Sequence, residues 1–177
     1  MEKLLSVGIM SAPTIRFSLQ GNYTFQGKQY SGEYSATYQE GKVLFEGKPY
    51  DELMFSESTK QQINESPAFF TLKDVTIGVN FHWQRKENQS FVGNLKIIAG
   101  HDKVLYKEPA LIAINLLDVE DYLVSVISSE MSATSSFELL KAHAVISRSW
   151  LLHPILNPHI REVQRGSKRF KVVQFHN

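Results

Sequence analysis

The sequence predicts an α+β fold, in which a β-rich N-terminal region of antiparallel hairpins packs with a two-helix motif. Three observations support this class. Apolar and polar side chains alternate along short segments of the first 116 residues, glycines separate those segments, and helical spacing replaces the alternation near Asp118. We therefore expect a single domain over residues 1–177, with a β-rich part at 1–116, a helical motif at 117–155 and a basic tail at 156–177.

The strand predictions come from apolar side chains that recur at every second position. The run LLSVGIM near the start is predicted as the first strand, and Ile15, Phe17 and Leu19 are predicted to share one face of the next. The same alternation predicts a strand over residues 75–83 that ends at Trp83. The aromatic residues of the early hairpins are predicted to fill the core, with carbohydrate stacking left open for one or two of them: Tyr23, Phe25, Tyr30, Tyr34, Tyr38 and Phe45.

The first helix is predicted to begin at Val119, with Asp118 as its N-terminal cap. Glu120 and Asp121 then lie at the positive end of the helix dipole, where acidic side chains are stabilising. We expect this helix to end around Ser128–Ser129, because serine side chains compete for backbone hydrogen bonds.

The second helix is predicted to begin near Ser135, with Glu138 completing a capping box. Prolines at 154 and 158 are predicted to end it. Its apolar stripe is expected at helical spacing: Phe137, Leu140, Ala144, Ser147 and Leu151.

Composition excludes several classes of function. Nineteen basic and eighteen acidic residues leave a net charge of +1, which does not support electrostatic binding of nucleic acid. The absence of cysteine excludes disulfides, thiolate metal sites and a cysteine nucleophile. The apolar run Ala110–Leu117 is too short to span a bilayer, and no signal peptide is visible. The six histidines lack metal-ligand spacing and there is no phosphate-binding loop, so neither a metal nor a cofactor is expected.

Glu130 is the residue with the clearest chemical interest, because it lies at the break between the two predicted helices. Catalytic groups often lie on connections held by rigid elements. Ile127, Met131 and Phe137 are expected to shield it from water, which would favour a protonated carboxyl able to donate to a leaving-group oxygen. From the residues alone, a surface charge or a helix cap is the more common role of an isolated glutamate in a loop.

The amino-acid sequence around Glu130 resembles that of a known family. Residues 114–152 read INLLDVEDYLVSVISSEMSATSSFELLKAHAVISRSWLL. In order and without a gap, EDYL, SEM, LKA, AV and Arg148 match the pattern of the stage II sporulation protein D family, also called SpoIID/LytB domains. The resemblance implies an extracytoplasmic protein that acts on peptidoglycan glycan strands as a lytic transglycosylase and forms 1,6-anhydromuramic ends. For some relatives it implies instead a non-catalytic wall-binding module that enhances an amidase.

The resemblance also implies roles for individual residues. The glutamate of the SEM motif, Glu130, would be the catalytic acid/base, and Ser129, Lys141, His143 and Arg148 are the candidate substrate-binding residues. Two of these keep a structural alternative. Arg148 would bind substrate or form a salt bridge to Asp121 or Glu138. His143, where the family usually has glutamine, would hydrogen-bond substrate or be a buried, satisfied side chain.

This chain departs from the family pattern at several positions. Serines at 128 and 132 replace prolines that flank the catalytic glutamate, Ser125 replaces a glycine, and Asp118 replaces a proline. The family's glycine-rich HGxGMSQxGA-like segment has no counterpart in the printed sequence. We therefore expect either a fragment or a short, divergent member of the family.

Overall fold

The computed structural model describes residues 4–57, 68–78, 81–100, 109–132, 134–156 and 173–175. Backbone proximity divides the chain into two compact units. The strand unit is Val7–Leu116, and the helical unit is Met1–Ser6 together with Leu117–Asn177. The boundary at residues 116 and 117 coincides with the position where the sequence changes from strand to helix spacing.

The part of the chain before the helices that the structure describes forms ten strands. They are β1 (Leu4–Ala12), β2 (Thr14–Phe25), β3 (Lys28–Gln39), β4 (Lys42–Phe45), β5 (Lys48–Tyr50), β6 (Glu52–Glu57), β7 (Phe69–Ile77), β8 (Arg85–Phe91), β9 (Asn94–Gly100) and β10 (Ala110–Asp118). Their order is β1-β10-β9-β6-β2-β3-β4-β5, with β7 pairing with β2 and β8. Hairpins such as β2–β3, β3–β4 and β9–β10 are antiparallel. With the two helices that follow, this architecture confirms the predicted α+β class.

The core of the strand unit is rich in aromatic side chains. Ile15, Phe17 and Leu19 are buried on one face of β2, as the alternation predicted. The Phe17 ring lies 5.4 Å from that of Phe55 and 6.2 Å from that of Phe45. The aromatic-core prediction is confirmed: four of its members are buried and two, Tyr34 and Tyr38, are partly buried against the same cluster.

The predicted strand over residues 75–83 is wrong beyond Ile77, where β7 ends. Gly78 has φ +64°, a left-handed conformation that glycine adopts without strain. The amide of Phe81 then donates to the Gly78 carbonyl at 2.9 Å, which closes a turn. As a result Phe81 and Trp83 are 58% and 46% exposed, and their rings stack on each other. Residues 79 and 80 lie outside the described residues.

The helical unit contains α1 (Val119–Glu130), α2 (Phe137–Leu156) and a short strand, β11 (Val173–Phe175). Helix α1 begins where it was predicted but continues past Ser128 and Ser129 to Glu130. Helix α2 begins two residues after the predicted cap and continues through Pro154. Among the described helices, none is long and apolar enough to cross a membrane. The remainder of the predicted basic tail, including Pro158, lies outside the described residues.

Truncating Phe17 tests the aromatic core. Phe17→Ala should lower the free energy of unfolding by about 3–5 kcal/mol, because it removes a fully buried ring and leaves a cavity. The same change at the exposed Phe81 is the matched control and should cost about 1 kcal/mol or less. Urea denaturation of both variants measures the difference, and equal losses would contradict this description of the core.

Alkaline pH should destabilise the strand unit through Tyr23. Burial raises the pKa of the Tyr23 phenol, and the nearby charge of Glu57 raises it further. A tyrosine in the unfolded chain ionises near pH 10, so above that pH the unfolded state binds fewer protons and stability falls as pH rises. Tyr23→Phe should make this decline shallower by about 1.4 kcal/mol per pH unit. Unchanged slopes in chemical denaturation above pH 10 would contradict it.

Candidate functional site

Two carboxylates at the start of α1 make different interactions, one as the helix cap and one in an ion pair. Asp118 caps the helix, and its side chain accepts a hydrogen bond from the Glu120 amide at 2.7 Å. Glu120 forms an ion pair with Arg148 of α2, which lies 28 residues later in the chain. The sequence predicted Asp121 or Glu138 as the salt-bridge partner of Arg148, and that prediction is wrong. The pair joins the first turn of α1 to the middle of α2.

Hydrogen bonds between residues close in sequence define the connection between the helices. The amide of Met131 donates to the Ile127 carbonyl at 2.9 Å, which ends α1. The Ser132 side-chain oxygen accepts from the Thr134 amide at 3.2 Å, and the Ser135 amide donates to the Ser132 carbonyl at 3.0 Å. Serine side chains commonly stabilise such turns. Ser132 therefore constrains the connection at a position where the resemblance led us to expect a proline.

Helix α2 is capped by Ser136 rather than by the predicted Ser135. The Ser136 hydroxyl accepts from the Leu139 amide at 3.3 Å, three residues along, as an N-cap side chain does. Glu138 does not complete a capping box, because its carboxylate pairs with Lys141 at 3.1 Å. The end of α1 and the start of α2 are thus both defined by local contacts, which position the last residue of α1.

That last residue is Glu130, and its carboxylate meets an imidazole from α2. Oε2 of Glu130 lies 3.1 Å from Nε2 of His143. The other ring nitrogen, Nδ1, lies 3.3 Å from the hydroxyl oxygen of Ser147, one turn further along α2. The His143 side chain is 23% exposed, while that of Glu130 is 57% exposed. The imidazole is therefore a largely covered support for a carboxylate that faces outward.

The predicted shielding of Glu130 is wrong. More than half of its side chain is exposed, and Phe137, one of the three residues expected to cover it, is 69% exposed. The ring of Phe137 lies instead under the ammonium group of Lys141, 4.2 Å from the nitrogen. The side chain that contacts Glu130 is thus the polar imidazole of His143 and not the apolar ring of Phe137.

Tyr122 lies on the same helix as Glu130 and is electrostatically coupled to it. Burial raises the pKa of its phenol, and the negative charge of Glu130 raises it further. The two side chains are therefore close enough on α1 to interact electrostatically. The sequence analysis placed Tyr122 only in an apolar stripe, although EDYL, in which it lies, was among the matched motifs.

The structure brings only one of the candidate substrate-binding residues into contact with Glu130, and that residue is His143. Among the others, Ser129 donates within α1 to the Val126 carbonyl at 2.8 Å, Lys141 pairs with Glu138, and Arg148 pairs with Glu120. The sequence analysis assigned Ser147 to the apolar stripe of α2. Its i to i+4 spacing from a histidine was the signal that could have identified it.

The described residues contain no group of three or more histidine, aspartate or glutamate side chains placed to hold a metal ion. Two surface depressions, of ≈ 540 and ≈ 350 Å³, belong to the strand unit. The larger is lined by charged and polar residues around Arg16 and Asp74, and the smaller by Tyr30, Tyr50 and neighbouring side chains. Neither is lined by Glu130.

These features define the helical unit as a helical hairpin that presents one carboxylate at its break, 3.1 Å from the imidazole of His143. The family model for Stage II sporulation protein (SpoIID) matches residues 107–175, which include this hairpin. The match confirms the resemblance found in the sequence and indicates a cell-wall or sporulation-related role. Searches of curated proteins and of solved structures each found no match.

The cap of α1 can be tested with a matched pair of aspartates. Asp118→Ala should lower the free energy of unfolding by about 1 kcal/mol, because the Glu120 amide loses its acceptor. Asp121→Ala removes the same charge from the same helix start without removing the cap, and should cost at most about half as much. Thermal denaturation compares the two, and equal losses would show that Asp118 contributes only its charge.

Proposed function

We propose that this protein acts on the glycan strands of peptidoglycan as a lytic transglycosylase, with Glu130 as the acid/base. The observation that carries the proposal is the contact of Glu130 with His143 at the break between α1 and α2. Glu130 belongs to the SEM motif and His143 directly follows the LKA motif, and both motifs carry the family resemblance. The same resemblance supports an extracytoplasmic location.

The chemistry requires one carboxyl group that first gives and then takes a proton. Glu130, protonated, donates to the glycosidic oxygen as the bond from that oxygen to C1 of N-acetylmuramic acid breaks. The resulting carboxylate accepts the proton of the sugar's own 6-hydroxyl as its oxygen attacks C1. The products are a 1,6-anhydro end and a new hydroxyl end, and no water is consumed. Attack from within the same sugar has a high effective molarity.

The neighbouring carboxylates support a mechanism with a single acid/base. Hydrolases that activate water use a second carboxylate on the opposite side of the scissile bond. Here Glu120 is engaged by Arg148, and Asp118 is engaged as the cap of α1. Glu138 pairs with Lys141. The exposure of Glu130 also suits a polymer, since a glycan strand must approach the carboxyl from outside.

Replacing Glu130 tests the assignment. Glu130→Gln should lower the rate of 1,6-anhydromuramic product formation from denuded glycan strands by about 10²–10⁴-fold, because the amide cannot exchange the proton. Its melting temperature should change little, since the side chain is exposed. Glu138→Gln, the same change on a neighbouring helix start, is the matched control and should keep the parent rate. Mass spectrometry measures the product, and parent-level product from Glu130→Gln would refute the role.

A second candidate function is a wall-binding module that enhances an amidase. Exposed apolar side chains on both helices favour it, including Val124 at 63% and Ile146 at 65% exposure, because such side chains are common at protein contact surfaces. Retention on insoluble peptidoglycan without product, together with stimulation of an added wall amidase that Glu130→Gln preserves, would support this function over catalysis. Failure to bind any wall preparation would count against both candidates.

A further inference from the structure

His143 holds two polar side chains with its two ring nitrogens. Nε2 contacts Glu130 at 3.1 Å across the gap between helices, and Nδ1 contacts Ser147 at 3.3 Å along α2. Only 23% of the His143 side chain is exposed, so its orientation is set largely by protein contacts. A histidine with a partner at each ring nitrogen has a defined ring orientation.

The chemistry of the partners favours one position for the ring proton. When Glu130 is ionised its carboxylate can only accept hydrogen bonds, so a hydrogen shared across the 3.1 Å contact is then carried by Nε2. In a neutral ring Nδ1 then has no hydrogen and accepts one from the Ser147 hydroxyl. The donors therefore run in one direction, from Ser147 to His143 and from His143 to Glu130. A serine hydroxyl can donate or accept, so it is the carboxylate that favours this tautomer, and the Ser147 hydroxyl accommodates it by donating to Nδ1.

We propose that His143, which also contacts Ser147 through Nδ1, is a positioning residue for Glu130, a role whose catalytic consequence rests on the proposed function. Its Nε2–H holds Oε2 of the carboxyl and leaves Oε1 to exchange the proton with the glycan. When Oε1 gives its proton to the glycosidic oxygen, the carboxyl becomes an anion and the hydrogen bond from Nε2 becomes charge-assisted. Such bonds are about twice as strong as neutral ones. His143 therefore stabilises the developing carboxylate more than the starting acid, which lowers the barrier.

The surroundings of the pair favour a donor at this place. Glu130 is the last residue of α1, where the helix dipole is negative, and α1 has no basic residue in its last turn. Tyr122 on α1 interacts electrostatically with Glu130, and the two helices also carry the Glu138–Lys141 and Glu120–Arg148 ion pairs. In each ion pair the positive side chain already contacts a carboxylate other than that of Glu130. The imidazole N–H is thus the donor that the described helices bring to the carboxylate of Glu130.

Two substitutions separate positioning from packing. His143→Leu keeps an apolar body but loses the donor, and should lower kcat for anhydro-product formation by about 10- to 100-fold with a small effect on KM. His143→Gln offers a neutral N–H of similar reach and should restore kcat to within about threefold of the parent. Ser147→Ala should lower kcat about two- to fivefold, because Nδ1 of His143 loses its hydrogen-bond partner. His82→Leu, at an exposed histidine of the strand unit, is the control and should leave kcat unchanged.

Nitrogen NMR tests the same proposal without any substrate. The ¹⁵N shifts of the His143 ring in the parent at neutral pH should identify a hydrogen on Nε2, and Glu130→Ala should alter the Nε2 signal by removing its acceptor. If the parent forms no anhydro product, the proposed function fails, while this spectrum still decides the positioning. A ring with its hydrogen on Nδ1 and a bare Nε2 would overturn the proposal. So would parent-like kcat in a folded His143→Leu variant, or a His143→Gln variant as slow as His143→Leu.

Discussion

The contact between the Glu130 carboxylate and the His143 imidazole is the interaction on which the proposed chemistry of the helical unit depends. A carboxylate at the C-terminal end of a helix meets an unfavourable dipole, and more than half of this side chain is exposed. The imidazole supplies the donor that α1 lacks. The Glu120–Arg148 pair and the hydrogen bond from the Ser135 amide to the Ser132 carbonyl also connect α1 with α2 and the segment before it.

Much of the fold follows from local patterns in the sequence. Alternation correctly placed Ile15, Phe17 and Leu19 in the core, and the start of α1 followed from Asp118, because a cap depends only on residues within one turn. Alternation failed beyond Ile77, since a left-handed glycine can end a strand without changing the apolar pattern. The cap of α2 was displaced by one residue because two adjacent serines satisfy the same signal.

The site was predictable in its central residue and not in its contacts. The position of Glu130 at a helix break followed from the sequence, but its partner His143 lies on the next helix, and spacing along the chain does not define contacts between helices. For the same reason spacing could not choose Glu120 among the carboxylates available to Arg148. The predicted shielding failed because Phe137 is turned outward beneath Lys141, a rotamer choice that sequence does not reveal.

The central claim is that Glu130 exchanges a proton with a glycosidic oxygen while His143 holds its other carboxyl oxygen. A crystal structure of the Glu130→Gln protein bound to a denuded glycan oligomer tests this most directly. The account predicts a glycosidic oxygen within hydrogen-bond distance of one side-chain polar atom at position 130, while the other contacts Nε2 of His143. An oligomer bound elsewhere, with position 130 in contact only with solvent, would contradict it.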